Sequence, residues 1–223
     1  MMIDKQLIYR ISLYILALFI MAFGVVLSIN SDLGVTPFSS LPYVVSLITG
    51  IDIGVCVFVI FSSFILIQIA ILRKEFKYIN LSQIVFSSIF GYFVDFAKSV
   101  LGDFRIPTYA GQLGMLAFSL VLLACGIAMH LEARLVNMPA EALVAAAAHK
   151  ARVAFHRAKI PLDCAVVALS GTLSFIFLSE MRGVREGTVI SAILVGKLIP
   201  VMRKMIILVI CSLGFKRNEE IQP

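Results

Sequence analysis

Apolar runs with few or no charged residues alternate with short polar and charged segments along the whole chain. Each long run approaches the roughly 20 residues that an α-helix needs to cross a hydrocarbon core of about 30 Å. The pattern therefore predicts an all-α polytopic membrane protein with about six transmembrane helices. Their predicted ranges are 11–29, 53–72, 81–101, 111–131, 162–179 and 187–202. A further apolar stretch, 205–215, is too short to span and predicts either an interfacial helix or an extension of the last span.

Two more apolar segments, 35–49 and 139–150, are also short, and a proline stands at or near the start of each. A helix of 15 residues extends only about 22 Å, which is less than the hydrocarbon thickness. We interpret both segments as broken or re-entrant helices. With a cytoplasmic N-terminus, re-entry of both leaves 14 Lys and Arg residues in cytoplasmic loops and 4 outside, whereas crossing of both gives 12 and 6. The positive-inside rule favours re-entry, with both termini in the cytoplasm.

The two halves of the chain resemble each other at an offset of 102 residues. Gly24, Leu33, Pro37 and Leu41 recur as Gly126, Leu135, Pro139 and Leu143. We expect a single membrane domain, 1–223, with repeats over 11–105 and 110–203 and a cytoplasmic C-terminal tail over 204–223. Three spans per repeat is an odd number, so the second repeat would be inverted and the proline ends of the short segments would approach each other near the midplane. Paired interrupted segments of this kind are typical of transporter binding sites.

Composition supports the membrane class and excludes a water-soluble enzyme. Of 223 residues, 61% are hydrophobic and 14% charged, with a mean hydropathy of +1.02, whereas soluble domains are about 25% charged. The net charge of +6 is explained by Lys and Arg in cytoplasmic loops rather than by nucleic-acid binding. The four cysteines lie far apart and are interpreted as apolar packing residues. The run 11–29 is too long for a signal peptide and no cleavage site follows it, so it is expected to remain as the first span.

The segment LGVTPFSSLPYVVSLITGIDIG resembles the signature of the YczE/YyaS/YitT-like integral membrane proteins. The matching positions are Gly34, Pro37, Thr49, Gly50 and Gly54, and in the second half Pro139, Asp163, Gly171, Gly187, Thr188 and Gly196. Val136 and Asn137 stand where that family has glycines, and Lys197 where it usually has proline. The resemblance extends over about 15–200. It implies a multi-pass architecture, in a family often described as permeases.

Ionisable residues inside predicted spans are costly and are therefore functional candidates. Asp95 would be a cation or proton site, or the partner of a buried lysine, and Lys197 would pair with Asp95 or with an anionic substrate in a central cavity. Alternatively, Asp95 reaches water beside Lys98, and Lys197 extends its alkyl chain toward the cytoplasmic surface of the membrane. Glu141 in the second short segment is either a cavity carboxylate or a partner of the positive helix end. Ser39 and Ser40 are its counterparts in the first half and would bind a ligand or cap the helix.

Three further positions complete the candidate site. Thr188 opens the sixth span beside Gly187, where exposed N–H groups suit an anion or small residues permit close packing. Asp163 is expected to cap the fifth span or to pair with Lys159. Pro37 and Pro139 begin the short segments. The predicted substrate-binding set is Pro37, Ser39, Ser40, Asp95, Pro139, Glu141, Thr188 and Lys197.

These features predict a small-molecule transporter or permease of the bacterial cytoplasmic membrane, with a midplane site between the repeats. The alternatives are a substrate-binding membrane subunit of a partner-energised importer and a non-transporting scaffold or regulator. The sequence contains no HExxH, GxSxG or P-loop, so we expect no enzyme activity, no cofactor and no metal site. Membrane lipid is the expected partner, together with an unspecified small molecule or ion. A second copy of the chain or an energising protein is a further alternative.

Overall fold

The computed structural model describes residues 5–153 and 155–212, and these residues form helices without any strand. The helices are α1 (Lys5–Asn30), α2 (Pro37–Thr49), α3 (Ile53–Leu72), α4 (Ser82–Leu101), α5 (Tyr109–Ala133), α6 (Pro139–Ala151), α7 (Phe155–Leu178) and α8 (Glu186–Ser212). Two short 3₁₀ turns connect α3 to α4. Each predicted span falls on one long helix, and each short apolar segment falls on one short helix.

Five of these helices are long and apolar enough to cross a membrane: α1, α3, α4, α5 and α7. The eighth helix, α8, has 27 residues, but Lys197, Arg203 and Lys204 interrupt its apolar character. This helix continues without a break through Met205 to Ser212, so the described part of the stretch 205–215 extends the last helix. The rest of the predicted tail, 213–223, lies outside the described residues.

The two short helices are built alike. Each has 13 residues and begins with a proline, whose fixed φ suits the first turn and whose missing N–H would have had no helical partner there. The residues before them, Thr36 and Met138, have nearly identical backbone angles, with φ −61° for both and ψ of 151° and 150°. Each helix ends at a left-handed residue, Gly50 after α2 and Arg152 after α6.

The helices pack as a ring beside a row. In the ring, α2 contacts α3, α3 contacts α6, α6 contacts α7, and α7 contacts α2. In the row, α1 and α5 pack against each other, with α4 on α1 and α8 on α5. Arg10, near the start of α1, donates hydrogen bonds to the carbonyls of Ala133 and Arg134 at the end of α5. The two central helices of the row are therefore antiparallel.

The ring joins the row closely at one edge, where α3 packs on α4. Gly54 and Gly91 form this contact, and a Cβ atom on either glycine would collide with the backbone of the other. In the second half, Gly196 of α8 follows Gly91 by 105 residues, close to the offset of 102 residues between the two halves. No neighbouring atom lies within 4 Å of the position a Cβ would take on Gly196. The glycine contact that closes the first half is therefore absent from the second.

Candidate functional site

The first turn of α2 lies against α6 and α7 inside the helix ring. The Phe38 ring packs on a cluster formed by Val144, Ala148 and Ala158. The hydroxyls of Ser40 on α2 and Ser170 on α7 are 2.8 Å apart, and both side chains are fully buried. These contacts hold the proline-initiated end of α2 in the interior of the ring, where a solute that entered between the helices would meet it.

Glu141 lies close to this junction. It precedes Val144 by three residues and Ala148 by seven, so all three share one face of α6. Its Oε2 atom is shielded from solvent and has no hydrogen-bond partner within the described part of the chain. A carboxylate oxygen held in this way is expensive to keep charged. Glu141 therefore remains a candidate substrate-binding residue.

Two charged residues of α7 complete what we call the central charged cluster, composed of Glu141, Lys159 and Asp163. The Lys159 ammonium donates to the Asp163 carboxylate at 3.0 Å, which confirms the pairing alternative for these two residues. It also lies 5.1 Å from the centre of the Phe38 ring, a cation–π contact. Both members of the pair are near enough to Glu141 to act on it electrostatically. The cluster therefore holds one basic and two acidic groups where α2, α6 and α7 meet.

The connection between α5 and α6 is fixed from three sides, which positions Glu141. The Tyr14 hydroxyl donates to the carbonyl of Val136 at 3.0 Å, and the His130 ring contacts the same carbonyl at 3.2 Å. Gln68 of α3 donates to the carbonyl of Pro139 at 3.2 Å. All three polar side chains are buried. The start of α6 is therefore held by α1, α3 and α5 together.

One cavity, with a volume of about 280 Å³, lies between the α1–α2 connection, α2 and the α7–α8 connection. We call it the arginine cavity because Arg105, Arg182 and Arg185 line it. Arg182 donates to Glu180 at 2.8 Å, and this bond raises the pKa of Arg182 above its ordinary value. Arg185 donates to the carbonyl of Asp32 at 2.6 Å. The walls thus present guanidinium groups, two of which are already paired.

A second cavity, of about 370 Å³, lies between the α5–α6 connection, α6 and the α3–α4 connection. We call it the glutamine cavity because Gln68 and Gln83 line it and bond each other at 3.2 Å. His149, from the end of α6, contacts Glu75 at 2.7 Å on its rim. This contact ties α6 to the α3–α4 connection.

The two cavities occupy matching places in the two halves of the chain. Gly34 and Val35 line the first, and Val136 and Asn137, each 102 residues later, line the second. Tyr43 and Ala145 have the same relation on α2 and α6. The sequence did not reveal either cavity, because their walls come from connections far apart in the chain. The offset of 102 residues is the only sequence signal that relates them.

The structure does not bring Asp95 and Lys197 together. Asp95 accepts a hydrogen bond of 2.6 Å from the N–H of Gly54 in the first turn of α3. Lys197 is exposed on α8 and forms no hydrogen bond or ion pair with the described residues. The predicted pair between them is wrong because α4 and α8 occupy opposite ends of the row, separated by α1 and α5.

The remaining predicted residues lie at helix starts, next to the loops that connect the helices. Ser39 accepts from Thr36 at 2.8 Å in front of α2. Thr188 is buried and donates to the carbonyl of Gly183 at 3.3 Å, which shapes the wall of the arginine cavity. Pro37 and Pro139 begin α2 and α6. Among the residues of 5–153 and 155–212, no three His, Cys, Asp or Glu side chains form a group that could hold a metal ion.

Comparison with curated proteins and with solved structures found no match. A family model matches residues 8–204, from α1 into α8, and so covers both halves and both cavities. Its family is one of unknown function, and nothing ties the match to the YczE/YyaS/YitT-like proteins in particular. The chain belongs to the family of unknown function DUF6198.

Proposed function

We propose that this protein is a small-molecule transporter of the cytoplasmic membrane, with its solute pathway between two inverted repeats. The observation that carries the proposal is the pair of cavities at repeat-related positions, one in each half of the chain. A transporter needs one such opening toward each side of the membrane. The central charged cluster at the junction of α2, α6 and α7 adds charged groups beside the buried hydroxyls of Ser40 and Ser170, and polar groups of this kind suit a transport pathway.

The antiparallel packing of α1 on α5 supports the inverted relation of the repeats. These two helices occupy equivalent places in the repeats 11–105 and 110–203. Equivalent helices that run in opposite directions imply that one repeat is turned over relative to the other. The identical construction of α2 and α6 agrees with this relation.

In the proposed arrangement six helices span the membrane and two re-enter it. The sixth span is α8, whose 27 residues extend about 40 Å and so exceed the hydrocarbon thickness. The re-entrant helices are α2 and α6, whose 13 residues extend only about 20 Å. Both termini are then cytoplasmic. The glutamine cavity faces the cytoplasm and the arginine cavity faces outward. The resemblance to YczE/YyaS/YitT-like proteins fits this architecture.

Transport would proceed by alternating access. Motion of one repeat against the other would open one cavity toward the central charged cluster while closing the other. The Ser40–Ser170 contact joins α2 of the first repeat to α7 of the second, and α3 and α6 pack in the reciprocal way. These crossed contacts are the surfaces on which the repeats would move.

Accessibility of single cysteines tests this proposal. In a variant without its four native cysteines, Tyr43→Cys and Ala145→Cys place one thiol in each cavity. A membrane-impermeant maleimide should label Tyr43→Cys from outside only and Ala145→Cys from the cytoplasmic side only. As a control, Phe175→Cys on the exposed face of α7 should react poorly from both sides if that face contacts lipid.

A cross-link across one cavity separates transport from a static scaffold. Glu75→Cys and His149→Cys, introduced together at the two sides of their contact, should be joined by a short cleavable thiol cross-linker that closes the glutamine cavity. Alternating access predicts that closure raises the labelling rate of Tyr43→Cys, and that cleavage of the cross-linker restores it. An unchanged rate would favour a non-transporting scaffold or regulator.

A further inference from the structure

We propose that Glu141 is a proton-binding site and that the transporter is driven by, or coupled to, the movement of protons. This inference rests on the proposed function and deepens it by naming the coupling ion. Its basis is the unpartnered Oε2 atom of Glu141 at the junction of the two repeats. The sites in known transporters that carry protons are carboxyl or imidazole groups inside the helix bundle.

The surroundings of Glu141 favour the neutral carboxyl over the carboxylate. Its Oε2 receives no hydrogen bond, although an ionised carboxylate normally accepts several. Shielding Oε2 from solvent without a donor penalises the charged form, whereas a protonated carboxyl has far less charge to satisfy. Binding of a proton would therefore remove the charge that Oε2 cannot satisfy, without any other change in the site.

The helices packed near Glu141 contribute few groups that could neutralise its charge or donate a hydrogen bond to it. From α7 come Lys159 and Asp163, which already pair with each other. From α1 comes Tyr14, whose hydroxyl is occupied by the Val136 carbonyl. His130 of α5 lies behind Tyr14, with ring centres 4.7 Å apart, and contacts that same carbonyl.

The remaining neighbours are uncharged. On α3, the Gln68 side chain donates to the carbonyl of Pro139, and on α2 the apolar Phe38 ring contacts the Lys159 ammonium. His149, at the far end of α6, contacts Glu75 on the rim of the glutamine cavity instead. Among the described residues, Glu141 is thus the one member of the central charged cluster that forms no ion pair.

Charge balance explains how a proton would be used. With Glu141 ionised, the cluster of Glu141, Lys159 and Asp163 has a net charge of −1. A hydronium ion that reaches it through one cavity transfers its proton to Oε2, forming one O–H bond and leaving water. The cluster is then neutral, and a neutral cluster is less costly to enclose in a low-dielectric interior. Transfer of the same proton to water in the other cavity restores the carboxylate.

Infrared difference spectroscopy of the full-length protein in liposomes tests the site directly, since a protonated carboxyl has its own C=O band. We expect such a band at neutral pH, its loss on raising the pH, and its absence from Glu141→Gln. Glu75→Gln is the matched control, because Glu75 is an exposed carboxylate on the same side of the molecule, and it should retain the band. A wild-type protein without the band, or a Glu141→Gln variant that retains it, would overturn the proposal.

Two further measurements separate this inference from the proposed function. Sodium chloride added at constant pH should leave the band unchanged, and its loss would reassign the site to a metal cation. The labelling rate of Tyr43→Cys, divided by that of free cysteine at the same pH to remove the pH dependence of the thiol itself, should change with pH in the parent protein and become pH-independent with Glu141→Gln. Labelling that alternates between the two sides but has the same pH dependence in both proteins would refute the proton site and leave transport intact. Labelling that never alternates would refute transport itself.

Discussion

Gly24 of α1 faces Leu123 of α5 so closely that a Cβ atom on the glycine would lie 2.8 Å from the Leu123 Cγ. The same contact occurs a second time with the roles of the helices exchanged. Gly126 of α5 receives Met21 of α1, and a Cβ there would lie 2.9 Å from the carbonyl oxygen of Ala17. Gly126 follows Gly24 by 102 residues, and Leu123 follows Met21 by the same number. The antiparallel pair of helices thus makes one contact twice, as two inverted copies would.

This reciprocal contact predicts that neither glycine tolerates a side chain. We expect Gly24→Ala and Gly126→Ala each to cost about 1–3 kcal/mol of stability, because backbone atoms of the facing helix obstruct the new methyl group. Thermal unfolding of the purified protein in detergent measures the effect. Gly114→Ala is the control on α5, since no atom lies within 4 Å of its Cβ position, and it should unfold at the parent temperature or slightly above. Equal melting of all three variants would disprove close packing between α1 and α5.

The Asp95–Gly54 hydrogen bond gives Asp95 a structural role. We expect Asp95→Leu to lose about 1.5–3 kcal/mol of stability, because it leaves the Gly54 N–H without an acceptor, whereas Asp95→Asn keeps an oxygen in place and loses less. Asp52, which precedes the same helix and makes no side-chain capping bond, is the control, and Asp52→Leu should cost less than about 1 kcal/mol. Thermal unfolding distinguishes these variants. An Asp95→Leu variant as stable as its parent would show that the bond contributes nothing.

The positions of most helices could be predicted because they depend on local properties of the chain. A long apolar run has few alternatives to a helix, and Pro37 and Pro139 mark helix starts because their ring suits a first turn. The pairing of Lys159 with Asp163 was likewise accessible, since residues four apart share one helix face.

The site itself was only partly predictable, because hydropathy gives the depth of a residue but not the direction in which its side chain points. Asp95 and Lys197 look alike as ionisable residues in apolar runs, yet one bonds a neighbouring helix and the other is exposed. The arginine cavity joins Asp32, Arg105 and Arg182 from three separate connections. Only the packing of the helices reveals that they are neighbours.

The His149–Glu75 contact is predicted to control access more than stability. Both side chains are more than half exposed, and solvent-exposed pairs of this kind contribute little to stability. We expect His149→Ala to change the unfolding temperature little but to raise the labelling rate of Ala145→Cys, because it frees the rim of the glutamine cavity. Lys150→Ala, one residue further along α6 and also exposed, is the control and should alter neither quantity. A fall in stability without faster labelling would show that the pair holds the fold rather than the rim.

Lys159 and Lys197 are predicted to behave differently when their charge is removed. Lys197 is exposed and has no partner among the described residues, so Lys197→Met should change stability by no more than about 0.5 kcal/mol. Lys159→Met removes the partner of Asp163, whose side chain is 16% exposed, and should cost about 1–3 kcal/mol. It should also raise the pH at which the protonated-carboxyl band disappears, because a cation that stabilises the nearby carboxylates is gone. Thermal unfolding and infrared titration of both variants measure the two effects. If Lys197→Met shifted the band and Lys159→Met did not, the site would lie on the open face of α8 and not at the junction of α2, α6 and α7.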